Sequence, residues 1–231
     1  MSRLNLIDVA RAPPPIKLNR ADPLRASLRS VGWHGKLQKN AISAPSPLRF
    51  ISQPVMCLEL KRFMKIRRFT KTDIPQIAQI HRASWIMAYK PLIPDKILEN
   101  LSELHFQNIW KKNLNNQSHS HLVAEHKNQI IGFISFSQYE GSTETSEISS
   151  FYIDPGSAGH GVGKTLIISA FNKLAALGFR KVLLWVVREN QRAIEFYKAV
   201  KFKQMNAERK ILRHGIELTQ LQFSRNIVES T

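Results

Sequence analysis

Residues 149–167 read SSFYIDPGSAGHGVGKTLI: a short strand pattern stopped by Pro155, a glycine-rich run, and the start of a helix. This stretch narrows the fold more than any other. A glycine-rich turn from strand to helix exposes several backbone amides together with the positive end of the helix, which binds an anion without any specific side chain. Two anion-binding architectures compete for it. Ala158, Gly163, Lys164 and Thr165 stand at the spacing of a loosened nucleotide-binding loop, A-x-x-x-x-G-K-T. Gly161 and Gly163 also form a G-x-G that opens a helix, and both are expected to remove Cβ atoms that would keep an anion away. A plain strand-to-helix connection is the third reading of an isolated G-x-G.

The text on either side decides between them. KIRRFT (65–70) reads as a strand, after which Thr72 and Asp73 offer N-caps, Pro75 falls in the first turn, and Ile74, Ile77, Ala78, His81, Trp85 and Ala88 follow at helical spacing. Residues 93–114 supply a second helix. HLVAEHKNQIIGFISFSQY reads as two strands joined by a turn at Lys127 to Gln129, and residues 146–155 as a further strand. In 163–178 Ile167, Phe171 and Leu174 share a helix face, and Gly178 is placed as the stop. KVLLWVV (181–187) is apolar on both faces, as in a central strand, and is far too short to span a bilayer. Asn190 caps a last helix with Ala193, Phe196, Tyr197 and Val200 on one side, and two closing strands fit within 203–224. The order β-α-α-β-β-β-α-β-α-β-β predicts an α+β domain: a mixed central sheet of about six or seven strands flanked by helices. A nucleotide-hydrolase fold needs several parallel strands after its loop and an acidic residue ending an apolar strand to hold magnesium. Only 66 residues follow Thr165, and the one apolar strand among them ends VVREN, so that reading fails.

Of 231 residues, 34 are Lys or Arg and 17 Asp or Glu, a formal net charge of +17 that favours anionic partners. The excess is uneven. Residues 1–63 hold 11 Lys/Arg against 3 Asp/Glu, and prolines break every periodic segment, so they are expected to form a basic, disordered extension to a domain spanning 64–231. A natural tail, a cleaved targeting segment and an upstream extension absent from the working protein all fit this piece. Cys57 is the single cysteine, which excludes an intramolecular disulfide framework and fits a reducing, cytoplasmic compartment.

Over nearly all of 64–231 the sequence resembles the GNAT superfamily of acetyl-CoA-dependent N-acetyltransferases. Its acetyl-CoA motif, a strand followed by R/Q-x-x-G-x-G/A opening a helix, is matched from Ser149 to Ile167, with Ala158 standing where the family has R or Q. Its second signature, N-x-x-A-x-x-(F/L)-Y-x-x-x-G-F, appears as Asn190, Ala193, Phe196, Tyr197 and Phe202, with Lys201 in place of glycine. The resemblance implies that the amides of Gly159, His160, Gly161, Val162, Gly163 and Lys164 hold the CoA pyrophosphate. It also implies that Tyr152 and Ile153 offer backbone groups to the pantetheine arm and thioester carbonyl, and that Asn190 touches the cofactor as well as capping its helix. A lysine at 201 must accept the helix-ending geometry that glycine normally supplies.

Amine acetylation needs a neutral amine, a polarised thioester carbonyl and an acid for the leaving thiolate. By resemblance Tyr197 is that acid, and Glu147, on the strand before the loop, is the nearest carboxylate for a base. Trp85 and Tyr89, in a segment that resembles the family's acceptor-covering region, are candidates to line the substrate pocket. No metal is implied: His119, His121 and His126 have no Cys or carboxylate partner at ligand spacing. His81 reads as a satisfied core histidine. The expected acceptor is a primary amine of a small molecule or peptide, with no membrane partner and a homodimer permitted by an exposed closing strand. The competing reading is a non-catalytic binding module of the same fold, using its basic surface on nucleic acid.

Overall fold

The structure is a computed structural model, and it describes residues 63–227 apart from 91, 93 and 214. The expectations for residues 1–62, Cys57 included, fall outside the described residues. Seven strands form one mixed sheet in the order β1-β2-β3-β4-β5-β7-β6, built from Lys65–Arg68 (β1), His119–His126 (β2), Gln129–Gln138 (β3), Thr145–Ile153 (β4), Lys181–Val187 (β5), Lys203–Arg213 (β6) and Ile216–Asn226 (β7). β4 and β5 run parallel, and every other neighbouring pair is antiparallel. One parallel pair cannot make the sheet of a nucleotide hydrolase, in agreement with the sequence argument.

The helices are α1 (Ile74–Tyr89), α2 (Asp95–Glu99), α3 (Glu103–Leu114), α4 (Val162–Ala176) and α5 (Gln191–Ala199). The segment expected as one helix over 93–114 is two, because the Ser102 side chain accepts from the His105 amide and starts α3 afresh. Between β2 and β3, Lys127 and Asn128 both adopt positive φ (49° and 63°), the turn whose twist matches a tight hairpin.

Alternation along the strands separates two cores. Ile148, Val182, Leu184, Val186 and Phe223 face α4 and α5, meeting Leu166, Ile167 and Leu174, all under 6% exposed. On the opposite face Phe133 and Val123 meet Ile77 of α1 and Trp110 of α3. The C-terminal ends of α4 and α5 use one device. Gly178 (φ 88°) follows α4, with Phe179 N–H donating to Leu174 O and Gly178 N–H to Ala175 O. After α5, Lys201 takes the same left-handed position (φ 65°), with Phe202 N–H on Tyr197 O and Lys201 N–H on Lys198 O. The helix therefore ends as the signature requires, with a lysine held in a conformation that costs about 1 kcal/mol relative to glycine.

Candidate active site

β4 and β5 part company halfway along. Their ladder runs from Thr145 opposite Lys181 to Ile148 opposite Leu184 and stops there. At that point β4 carries one residue too many for β3: Ile148 faces Phe136 and Ser150 faces Ser135, so Ser149 is a bulge. A bulge bends its strand and raises the local twist, which swings Ser149–Ile153 away from Trp185–Val187. A cleft of about 850 Å³ fills the gap, floored by Ile148 and Leu184 and walled by α1, α5 and the glycine loop.

Strand parity decides which amides face this cleft. Asp154 N–H donates to Ile131 O at 3.0 Å, and a Cβ on Gly132 would lie 3.1 Å from the Tyr152 carbonyl oxygen. Tyr152 therefore turns its backbone to β3, and by alternation Phe151 and Ile153 turn theirs to the gap. Against the expectation, Tyr152 turns its backbone away from the gap and Phe151 faces it; Ile153 faces the gap too, although its carbonyl already accepts from Ser84 Oγ at 3.1 Å. Tyr152 contributes its ring instead, tilted against His81 with 4.4 Å between centroids, and burial pushes its phenol well above the ordinary value.

In the loop, Gly159 and Gly161 adopt φ of 84° and 86°, which a side chain would strain. The first helical bond of α4 is Thr165 N–H to Gly161 O at 3.1 Å, so the amides of Val162, Gly163 and Lys164 precede it. No side chain caps this end and no acidic residue lies in its first turn. Gly159, Gly161 and Gly163 line the cleft, whereas the Val162 side chain is core (1% exposed) and Lys164 points to solvent. Those two, and His160, are placed to serve by their backbone. Gly163 does a different job from the one expected: a Cβ there would come within 3.3 Å of the Phe196 and Phe151 rings, so its bareness lets α4 and α5 pack closely.

Asn190 caps α5 by accepting from Ala193 N–H at 3.1 Å and also lines the cleft. Tyr197, on α5, is 8% exposed, packs on Phe151, Phe196, Phe202 and Phe223, and reaches the cleft. Its hydroxyl has no hydrogen-bond partner among the described residues, and desolvation pushes it well above its ordinary value, so it stays protonated across the neutral range. Glu147 is half-buried on β4 and is not part of the cleft wall; burial raises its carboxyl and the charge of Arg209 opposes that rise. The carboxylate that does line the cleft is Glu189, exposed at its rim. Trp85 and Tyr89 pack together on the α1 wall, their rings tilted with 4.3 Å between centroids.

His81 is buried and hydrogen-bonded, as expected, but it also borders the cleft. Trp110 Nε1 donates to its Nδ1 at 3.2 Å, and burial, with the nearby His105, lowers its pKa to about 3. His121 bonds to Ser135 Oγ (2.8 Å) and to the Asn113 carbonyl (3.3 Å), which accounts for it without a ligand. No described helix is long and apolar enough to cross a membrane.

Residues 74–202, more than half of the chain, match the model of the acetyltransferase (GNAT) family. The uncharacterized N-acetyltransferase YuaI of Bacillus subtilis is 27% identical over 136 residues, 58% of this chain and 77% of that protein. Among solved structures, PaiA N-acetyltransferase of Thermoplasma acidophilum in complex with coenzyme A superposes with a TM-score of 0.55 at 21% identity, covering 71% of this chain and 98% of that one. YncA of Salmonella typhimurium, solved with acetyl-CoA, gives 0.54 at 19% identity over 73% of this chain and 96% of that one. At such identities the structural likeness is one of fold.

Proposed function

The chain belongs to the acetyltransferase (GNAT) family, and from that premise we propose that it transfers the acetyl group of acetyl-CoA to a primary amine of a small molecule or peptide by direct attack. The observation that carries this reading is the parting of β4 from β5 beside the glycine loop. Acetyl-CoA supplies a thioester carbonyl for the amine to attack and a thiol to leave. The fit rests on the amides of Val162, Gly163 and Lys164, which precede the first helical bond of an uncapped helix start and suit a pyrophosphate, together with those of Gly159, His160 and Gly161 in the loop, and Asn190 adds a polar group beside them. Phe151 and Ile153 offer the pantetheine arm the N–H groups that β5 leaves unused, and one of them polarises the carbonyl.

Tyr197 holds a proton on its hydroxyl for the departing sulfur; its apolar surroundings keep it there until it is needed. The amine loses its proton to water, and Glu147, set behind the cleft wall, is the carboxylate placed to receive it. Trp85 and Tyr89 flank the acceptor. The test is release of CoA thiol by the full chain over a panel of amines. Amine-dependent release, reduced in Tyr197→Phe, is the expected result. Bound acetyl-CoA with no release for any amine would withdraw the transfer, and an undiminished Tyr197→Phe rate would withdraw the acid.

A further inference from the structure

The cleft has two unlike arms. Its formally charged side chains, Glu189, Arg192 and Arg213, come from the turn before α5, from α5 itself and from the end of β6. The arm that runs from β4 toward α1 and α3 is different: among the described residues, no Lys, Arg, Asp or Glu of α1, α3 or the segment between them lines it. Tyr152 stands at its inner end. The backbones of Phe151 and Ile153 turn to the gap, whereas the Tyr152 ring leaves β4 toward α1, 4.4 Å from His81, and His81 lies 4.5 Å from Phe106 of α3. Leu101, Phe106 and Ile109 continue the lining, packed in one cluster with Trp85 and Tyr89. Leu101 and Phe106 are 5% and 3% exposed, and Ile109 is half-buried. An amine attacking from this side a thioester held at Phe151 and Ile153 would leave its substituent in the arm.

The polar groups of this arm are largely spent within the protein. Ser84 Oγ donates to the Ile153 carbonyl at 3.1 Å, and His81 Nδ1 accepts from Trp110 Nε1 at 3.2 Å. Burial lowers both His81 and His105, so neither carries a charge at pH 7. A second ammonium entering here would lose its water with no carboxylate on these helices to replace it, and a buried cation is tolerated only with a partner. Arg213, whose charge acts on the phenols of Tyr89 and Tyr152, opposes it further. An alkyl or aryl group gains from the same burial.

We infer that the acceptor amine carries an uncharged apolar group, an aryl ring or an alkyl chain, which enters the arm lined by Leu101, Phe106 and Ile109, and that polyamines are excluded. This deepens the acetyl-transfer reading and rests on it. The experiment measures CoA release by the full chain with 2-phenylethylamine, n-hexylamine, ethanolamine and spermidine. The expected result is a preference for the first two over ethanolamine of about 10- to 100-fold in kcat/KM, the range for burying one apolar group, with spermidine the poorest. Ile109→Trp, which fills the arm, should bring the ratio of 2-phenylethylamine to ethanolamine close to one. Ile109→Ala, which widens it, should favour 4-phenylbutylamine over 2-phenylethylamine. Opposite shifts from one position cannot come from a general loss of folding. Ethanolamine or spermidine turned over as well as the apolar amines overturns the inference, as do ratios that neither variant moves. So does a preference for hexanoyl-CoA over acetyl-CoA that Ile109→Trp abolishes, because the arm would then hold the acyl chain. A binding measurement separates failure of the inference from failure of the transfer reading: calorimetric titration of N-acetyl-2-phenylethylamine into the protein–CoA complex. Where no amine is turned over, binding that Ile109→Trp weakens supports the apolar arm, and absent or unaltered binding overturns it.

Discussion

The two halves of the β4–β5 pair differ although the same two strands build both. Below Ile148 and Leu184 they form an ordinary parallel ladder, buried against α4 and α5. Above it the strands diverge, and Phe151 and Ile153 are left with amides that no strand takes up. One inserted residue, Ser149, marks the change. The lower half is packed shut and the upper half left open, and the fold makes the second by interrupting the first.

Changes in the open half should move activity without stability, and changes in the closed half the reverse. The largest effect is expected from Tyr197→Phe, which removes only the hydroxyl: kcat should fall about 10²- to 10⁴-fold, with acetyl-CoA affinity and melting temperature nearly unchanged. Deleting Ser149 tests the comparison itself. Because the bulge is one residue, its removal leaves residues 150–153 on their present faces relative to β3 and lets β4 follow β5 further. Calorimetry should then show acetyl-CoA binding lost while circular dichroism and melting stay native. Behind the closed half, Leu174→Ala on α4 (0% exposed, and not part of the cleft wall) should cost about 2–5 kcal/mol in denaturant unfolding and leave the kcat of the folded protein intact.

Acid should act through the histidines beneath the cleft. His81 is neutral in the fold down to about pH 3 but takes a proton near its ordinary value when unfolded. Its depressed pKa means that the unfolded state binds more protons below about pH 6.5. Stability should therefore drop by about 1.4 kcal/mol between pH 7.5 and 5.5 from this residue, with His121 adding in the same direction. The smallest effect is a gain. Lys201→Gly relieves the left-handed lysine after α5 and should add about 1 kcal/mol of stability, read from the urea midpoint, without altering turnover.

Much of this fold is legible in the residues, because its punctuation is strong: Pro155, Gly161, Gly178 and Asn190 mark element ends where the structure has them. The loop was readable for the same reason. What escaped is what depends on pairing between distant segments. The Ser149 bulge follows from the register of β4 on β3, so parity past it cannot be counted along the chain, and the sequence points to Tyr152 where Phe151 faces the gap. Arg213, which also lines the cleft, escaped because it lies about 50 residues beyond the loop, at the end of a strand whose inward face only the sheet reveals. His81 was read from helical spacing as core, which is correct for its Nδ1 side and silent about the side that borders the cleft. The bare Cα of Gly163 reads as room for an anion because the ring that requires it, Phe196, comes from another helix; its amide keeps its place at the helix start.

The central claim is that the parted strands and the glycine loop together hold a CoA thioester. Calorimetric titration of the full chain with acetyl-CoA, with Mg-ATP as competitor, tests it most directly. Acetyl-CoA should bind saturably, one to one, and Mg-ATP should not displace it. Binding of Mg-ATP alone, or of neither, would contradict it.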